Sequence, residues 1–213
     1  MKRTTQTLAA CAGMIGSLLF VAVFVLEDLL DPHFNWLGTS VSEHSLGDHG
    51  WIQVASFILV GLLFLAFARG VAEQFREGTS SRMGPWFLRT IGVCVVASGV
   101  FVTDPAPIAA FSRQSTWHGT VHAVAGAIAF TLMPLSCFVF YRRFSKDPAW
   151  HAFGSWTLVT CITIVLAIVF LKGAQLGLMS ALLGLFQRIL LVSYFGWIFL
   201  LADRLRSQPQ TAR

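Results

Sequence analysis

Two histidines stand four residues apart in the segment STWHGTVHAVAG. If this segment is helical, the spacing places the imidazoles of His118 and His122 on one helix face, about one turn apart. Two ring nitrogens in that arrangement can bind one zinc ion, as the histidine pairs of zinc hydrolases do. Each imidazole could equally hydrogen-bond a neighbouring helix, so the pair by itself predicts a polar site but does not decide whether a metal is bound.

An acid and a third imidazole could complete such a metal site. Asp104 lies in VTDPAP, where the proline disfavours continuation of a helix, so its carboxylate is expected near the start of the histidine helix. Glu43 and His44 come from the loop segment SVSEHS. Together with His118 and His122, either Asp104 or His44 would provide a third zinc ligand and leave a position for water. Glu43 could then act as the general base.

An arginine interrupts the last apolar segment, GLFQRILLVSYFGWIFLLAD. Helical geometry puts Arg188 about 22 Å from the end of that segment at Asp203, inside a hydrocarbon core of ~30 Å. A cation at that depth is costly unless it is paired or its side chain extends to the interface. We expect Asp104, or else Glu43, as its partner, and a role in neutralising a phosphate or an oxyanion. The adjacent Gln187 is assigned to the same polar site.

The composition is that of a membrane protein. Of 213 residues, 55% are hydrophobic and 12% are charged, and the mean hydropathy is +0.70, whereas soluble domains carry about 25% charged residues. A span needs ~20 apolar residues. Six segments qualify: 8–26, 51–68, 86–102, 117–140, 153–171 and 183–202. The sequence therefore predicts an all-α integral membrane protein, a bundle of six transmembrane helices that forms one domain at 1–206, with a disordered tail at 207–213.

Basic residues indicate the orientation of this bundle. With both termini on one side, only three of the 15 Lys and Arg residues fall on the other side: Arg113, Lys172 and Arg188. Positively charged loops stay in the cytoplasm, so both termini are predicted to be cytoplasmic. This topology accounts for the net charge of +5 without a nucleic-acid partner. It also places five histidines on the outer side: His33, His44, His49, His118 and His122.

Four short segments occur in a fixed order between the predicted spans: SVSEHSLGDHGW, GVFVTDP, WHGTVH and GLFQR. Through them the chain resembles, over nearly its whole length, the prokaryotic membrane family known as domain of unknown function 998. The resemblance implies a six-helix protein of the inner membrane of a prokaryote. It implies no established activity.

A more distant likeness is chemical. Alkaline ceramidases and adiponectin-receptor-like hydrolases hold a membrane zinc site with a serine, an aspartate and an HxxxH pair, and Ser42, Asp104, His118 and His122 are the same residue types. Those proteins have seven helices and carry the pair in the last one. The likeness therefore implies a shared chemistry rather than a shared fold.

Four functions fit these residues. The first is a zinc-dependent hydrolase that acts on a lipid or another amphipathic substrate at the outer leaflet. The second is a transporter or small-molecule binding protein with a proton- or anion-linked site. A haem protein is the third, and it would need axial imidazoles from two elements, because His118 and His122 share one helix face. The polar residues could also form a structural network in an assembly or signalling protein.

Overall fold

The computed structural model describes residues 3–31, 33–78, 81–105 and 112–207. They form six long helices and two short 3-10 helices, and no β-strand occurs among them. The long helices are α1 (Arg3–Leu30), α2 (Trp51–Gln74), α3 (Met83–Val100), α4 (Trp117–Phe144), α5 (His151–Gln175) and α6 (Leu183–Ser207). The 3-10 helices are Val41–Leu46, which we call the loop helix, and Ser180–Leu182.

Each predicted span corresponds to one long helix, and all six are long and apolar enough to cross a bilayer. The prediction of an all-α membrane fold is therefore confirmed. Several helices extend beyond the predicted limits, because a bilayer with its headgroup layers is ~40–45 Å thick and polar residues continue a helix through those layers. The predicted tail lies outside the described residues from 208 onwards, while Ser207 ends α6.

The six helices form a closed ring. Each long helix packs against its neighbours in the sequence, and α6 packs against α1. Gln6 of α1 donates a hydrogen bond from Nε2 to the backbone oxygen of Leu205 in α6, at 3.2 Å. The start of α1 and the end of α6 therefore lie at one end of the ring, which we call the terminal end. The opposite end, which carries the loop helix and the start of α4, is the distal end.

Glycines allow direct backbone contact between α2 and α3. A Cβ on Gly61 would lie 2.7 Å from the backbone oxygen of Gly92, and a Cβ on Gly99 would lie 2.9 Å from that of Val54. No real side chain fits at these distances, so the two backbones pack directly, as small residues permit in membrane helices. This contact fixes the distal end of α3, which lies beside α4.

Aromatic side chains fill the centre of the ring. The rings of Phe20 and Phe195 stack with centroids 4.4 Å apart, and Phe64 lies 5.3 Å from Phe195. Trp197 is buried and donates a hydrogen bond from Nε1 to Oγ1 of Thr157 at 3.0 Å. Three buried ionisable side chains lie on the distal side of this core: His44, His122 and Arg188.

Candidate functional site

The loop between α1 and α2 is bound to the distal end of α6. Leu185 donates its backbone N–H to the oxygen of Leu37 at 3.0 Å. Gln187 accepts at Oε1 a hydrogen bond from the backbone N–H of Val41 at 2.7 Å. A Cβ on Gly184 would lie 2.3 Å from backbone oxygens of the loop, so the contact requires glycine. The loop thus folds into the mouth of the bundle, and Gln187 is one of its anchors.

Arg188 is buried at the distal end and binds a carboxylate from α1. Its Nε donates to Oδ2 of Asp28 at 2.8 Å, and its Nη2 donates to Oδ1 at 2.5 Å. Its Nη1 donates to the backbone oxygens of Thr39 and Gly184 at 2.9 and 3.1 Å. The prediction of Asp104 as the first partner of Arg188 is wrong. The closed ring brings α1 against α6, and so the acid near the end of α1 meets the arginine.

His44 shares the carboxylate of Asp28 with Arg188. Its Nε2 donates to Oδ1 of Asp28 at 2.9 Å, and its ring stacks on Phe34 with centroids 3.9 Å apart. Burial lowers the pKa of His44 below its ordinary 6.5, and the hydrogen bond to Asp28 opposes that shift only in part. The imidazole is therefore neutral at pH 7. One carboxylate connects the loop helix, α1 and α6.

Ser42 and His122 form a hydrogen-bonded pair between the loop helix and α4. The Nδ1 of His122 lies 2.8 Å from the backbone oxygen of Phe101 and 3.1 Å from that of Ser98. Because carbonyl oxygens only accept, Nδ1 carries the proton. In the neutral ring Nε2 then has the free lone pair, and it accepts the hydroxyl proton of Ser42 with an Oγ to Nε2 distance of 3.0 Å. A half-buried serine thus faces a buried, oriented imidazole.

The other predicted site residues make local contacts. Asp104 accepts from the backbone N–H and the hydroxyl of Thr116, at 2.9 and 2.7 Å, just before α4 begins. These hydrogen bonds, led by the one from the hydroxyl, hold the pKa of Asp104 below its ordinary value. Glu43 accepts at Oε1 from the backbone N–H and the hydroxyl of Ser40, at 3.1 and 3.0 Å, and so caps the loop helix. His118 is exposed in the first turn of α4.

Three of the four residues expected to bind zinc make hydrogen bonds in different places, and the fourth, His118, is exposed. No group of three or more His, Cys, Asp or Glu residues within the described ranges could hold a metal ion. Both ring nitrogens of His122 have partners, His44 binds Asp28, and Asp104 binds the start of α4. Of the two histidines on this helix face, His122 is buried and His118 is exposed.

Two buried polar residues of α2 were missed by sequence reasoning. Gln53 is fully buried, and in the part of the chain that the structure describes neither its Nε2 nor its Oε1 has a hydrogen-bond partner. The same holds for Oγ of Ser56. Gln53 shares a face of α2 with Phe57, whose ring lies 6.0 Å from that of His122. The signal was present in WIQVASFILV, where these polar residues interrupt an apolar segment.

The fold and its buried ionisable residues define a polytopic membrane protein with a polar site at one end. Comparison with protein families gives the particular group: residues 14–203 match DUF998, a family of proteins of unknown function, and the chain belongs to it. This match confirms the resemblance carried by the four sequence segments. No similar curated protein and no similar solved structure was found.

Separating Arg188 from Asp28 should destabilise the protein. Asp28→Asn or Arg188→Met leaves the other group buried without its counter-charge, which typically costs about 3–5 kcal/mol. The two side chains are 13% and 8% exposed, so water cannot replace the missing partner. The double variant should recover part of the loss. The free energy of unfolding in detergent measures all three effects.

An exposed ion pair provides the control for that experiment. Arg206 lies 2.9 Å from Asp203 on the surface of α6, and Arg206→Met should change the free energy of unfolding by less than about 1 kcal/mol. If the buried and exposed pairs gave equal losses, the central role of Asp28 would be contradicted.

Acidification should weaken the attachment of the loop through His44. Its pKa in the folded protein lies below the 6.5 of the unfolded chain, so the unfolded state binds more protons as the pH falls. The stabilisation is complete above pH 6.5 and is lost as the pH falls from 6.5 towards the folded-state pKa. His44→Gln should flatten the dependence of the unfolding midpoint on pH between 7 and 5. An unchanged slope in that variant would disprove the assignment.

Proposed function

We propose that this protein is a membrane-embedded serine hydrolase that acts at its distal end on an ester or amide of a lipid or another amphipathic molecule. The observation that carries the proposal is the 3.0 Å hydrogen bond from Ser42 to Nε2 of His122. A serine hydroxyl beside a neutral, oriented imidazole is the arrangement of a nucleophile and its general base.

The backbone oxygens of Ser98 and Phe101 would replace the third residue of a catalytic triad. In Ser-His-Asp enzymes that group holds the imidazole in the correct tautomer and stabilises the imidazolium that forms. Here the two carbonyls hold the proton on Nδ1 of His122. A neutral third group also serves papain-like proteases, in which an asparagine has this role.

The proposed reaction needs only water besides the substrate. Oγ of Ser42 attacks the carbonyl carbon of the substrate, and the hydroxyl proton moves to Nε2 of His122. The bond from that carbon to the leaving oxygen or nitrogen breaks, and His122 gives its proton to the leaving group. Water then attacks the acyl-serine and passes a proton to His122. The acid departs as that proton returns to Oγ of Ser42.

The location of the pair favours a substrate that partitions into the membrane. Exposed tryptophans surround the distal end, as is typical of a membrane–water interface: Trp36, Trp51 and Trp117. Ser42 lies in the loop helix at the same end, where the ester groups of a lipid would be found. The buried polar atoms of Gln53 and Ser56 could hydrogen-bond the polar part of the substrate or the attacking water.

The charged network would support this site without touching the substrate. Arg188 makes four hydrogen bonds, two to Asp28 and two to backbone oxygens, one of which belongs to the loop. We therefore assign Arg188 and Asp28 as positioning residues. Glu43 would have a similar indirect role as the cap of the loop helix. This assignment replaces the catalytic roles that the sequence suggested for Arg188 and Glu43.

A fluorophosphonate probe, which labels activated serines, tests the proposal on protein purified in detergent. Labelling should fall on Ser42, as identified by peptide mass spectrometry, and should be absent in Ser42→Ala. Because loss of a general base costs about 100-fold or more in rate, His122→Gln should label at least ~100-fold more slowly. Unfolding midpoints would confirm that both variants remain folded.

Matched variants separate this proposal from its alternatives. His118→Gln removes the exposed histidine one turn away and should label at the wild-type rate. A zinc site on both histidines would instead lose its bound zinc in either histidine variant, and a chelator would remove the metal. Ser45→Ala removes a second hydroxyl of the loop helix, which donates to the backbone oxygen of Ser42 at 2.6 Å, and the label should still fall on Ser42. If Ser42 in the folded wild-type protein did not react, the pair would be only an anchor of the loop.

We also infer that the terminal end faces the cytoplasm and that the protein lies in the inner membrane of a prokaryote. Most of the basic residues lie toward that end, and positively charged loops stay inside. A fluorescent protein fused after the last residue should fluoresce in a bacterial host, and alkaline phosphatase fused there should be inactive. The reverse pattern would place the Ser42–His122 pair on the cytoplasmic side.

A further inference from the structure

A cleft lined by basic residues lies at the terminal end, at the opposite end of the bundle from the Ser42–His122 pair. It is a cleft of about 500 Å³ between the end of α2 and the start of α3. Its polar lining residues include three arginines and a serine: Arg76, Arg82, Arg89 and Ser81. Its apolar side is formed mainly by Trp86, Met83 and Pro85.

The arginines converge on this cleft because of their positions along the two helices. Arg82 precedes the first residue of α3, and Arg89 follows seven residues later, so both lie on the face of α3 that also carries Trp86. Arg76 comes just after the end of α2. The start of α3 adds the positive end of a helix dipole to the same cleft.

The charged residues that line the cleft are all basic. None of its lining residues is acidic. Within the described residues, the guanidinium groups of the three arginines form no hydrogen bond or ion pair with another residue. Other arginines at this end are engaged: Arg69 binds Glu73 at 3.2 Å, and Arg206 binds Asp203 at 2.9 Å. The three arginines are exposed to solvent, so an anion that enters the cleft can bind them without displacing a partner within the protein.

We propose that this cleft binds the phosphate group of an anionic phospholipid. Guanidinium groups bind phosphate oxygens in pairs and with defined geometry, which favours phosphate over a simple counter-ion. Trp86 and Met83 are 57% and 54% exposed at the rim of the cleft. Exposed tryptophan is typical of headgroup depth, where the glycerol region of a lipid would contact these side chains. The site is independent of the proposed hydrolase.

Native mass spectrometry of the detergent-purified protein tests this proposal. The probes are phosphatidylglycerol, phosphatidylcholine with the same acyl chains, and inorganic phosphate. The wild-type protein should bind phosphatidylglycerol more tightly than phosphatidylcholine. The cleft variant Arg76→Gln/Arg82→Gln/Arg89→Gln should bind phosphatidylglycerol at least ~10-fold more weakly, as expected when three basic residues are lost from an anionic lipid site.

A charge-matched control removes three arginines from the terminal end outside the cleft: Arg69→Gln/Arg142→Gln/Arg206→Gln. It should change the affinity for phosphatidylglycerol by less than ~3-fold.

Equal losses in the cleft and control variants, or equal affinity of the wild-type protein for the two lipids, would overturn the proposal. Displacement of the lipid by millimolar inorganic phosphate would instead assign the cleft to a soluble phosphate compound. If the triple variant does not fold, Arg89→Gln alone should still weaken lipid binding by a few-fold.

Discussion

The distal half of the structure depends on the contacts that the carboxylate of Asp28 makes. It accepts hydrogen bonds from Arg188 and His44, and burial keeps that imidazole neutral, so one negative charge balances one positive charge. A cation within the membrane is costly unless it is paired in this way. Arg188, once held, binds the backbone oxygen of Thr39 and so fixes the loop. Ser42 follows Thr39 by three residues, so the ion pair between Asp28 and Arg188 also determines the position of Ser42.

The Ser42–His122 pair lies where two parts of the ring meet. One part consists of α1, the loop and α6, joined by Asp28 and the anchors of the loop. The other consists of α2, α3 and α4, in which the glycine contact near Gly61 sets α3 and the carbonyls of Ser98 and Phe101 set the imidazole. Neither part contains both members of the pair. The distance between the Ser42 hydroxyl and the His122 imidazole therefore depends on how the two parts pack against each other.

The sequence predicts the six helices correctly, but it predicts only some of the contacts between them. Hydropathy identifies spans because both the lipid and the protein core favour apolar side chains, so each of the six helices can be predicted from its own segment. The burial of Arg188 could be foreseen for the same reason. The partner of Arg188 could not be foreseen, because Asp28 and Asp104 both lie near the distal ends of helices, and only the closure of the ring between α1 and α6 decides between them. Asp104 is instead bound by the neighbouring Thr116.

The histidine pair shows a different limit of sequence reasoning. A spacing of four residues places His118 and His122 on one helix face, but it says nothing of depth, and one turn separates an exposed ring from a buried one. Gln53 was overlooked because a neutral amide does not stand out from an apolar segment as a charge does. Its burial without a hydrogen-bond partner among the described residues appears only when the neighbours of α2 are known.

The separation of Asp28 and Arg188 along the chain also has a consequence for biosynthesis. The two residues are 160 positions apart, so the ribosome makes the carboxylate long before its counter-charge. At ~5–20 residues per second, this interval lasts roughly 8–30 s. During that time Asp28, close to the end of the first helix, can remain hydrated at the membrane surface. The distal site therefore assembles only when the last helix enters the bilayer. A chain truncated before α6 would contain both Ser42 and His122 but would lack the contact between Asp28 and Arg188 that positions the loop.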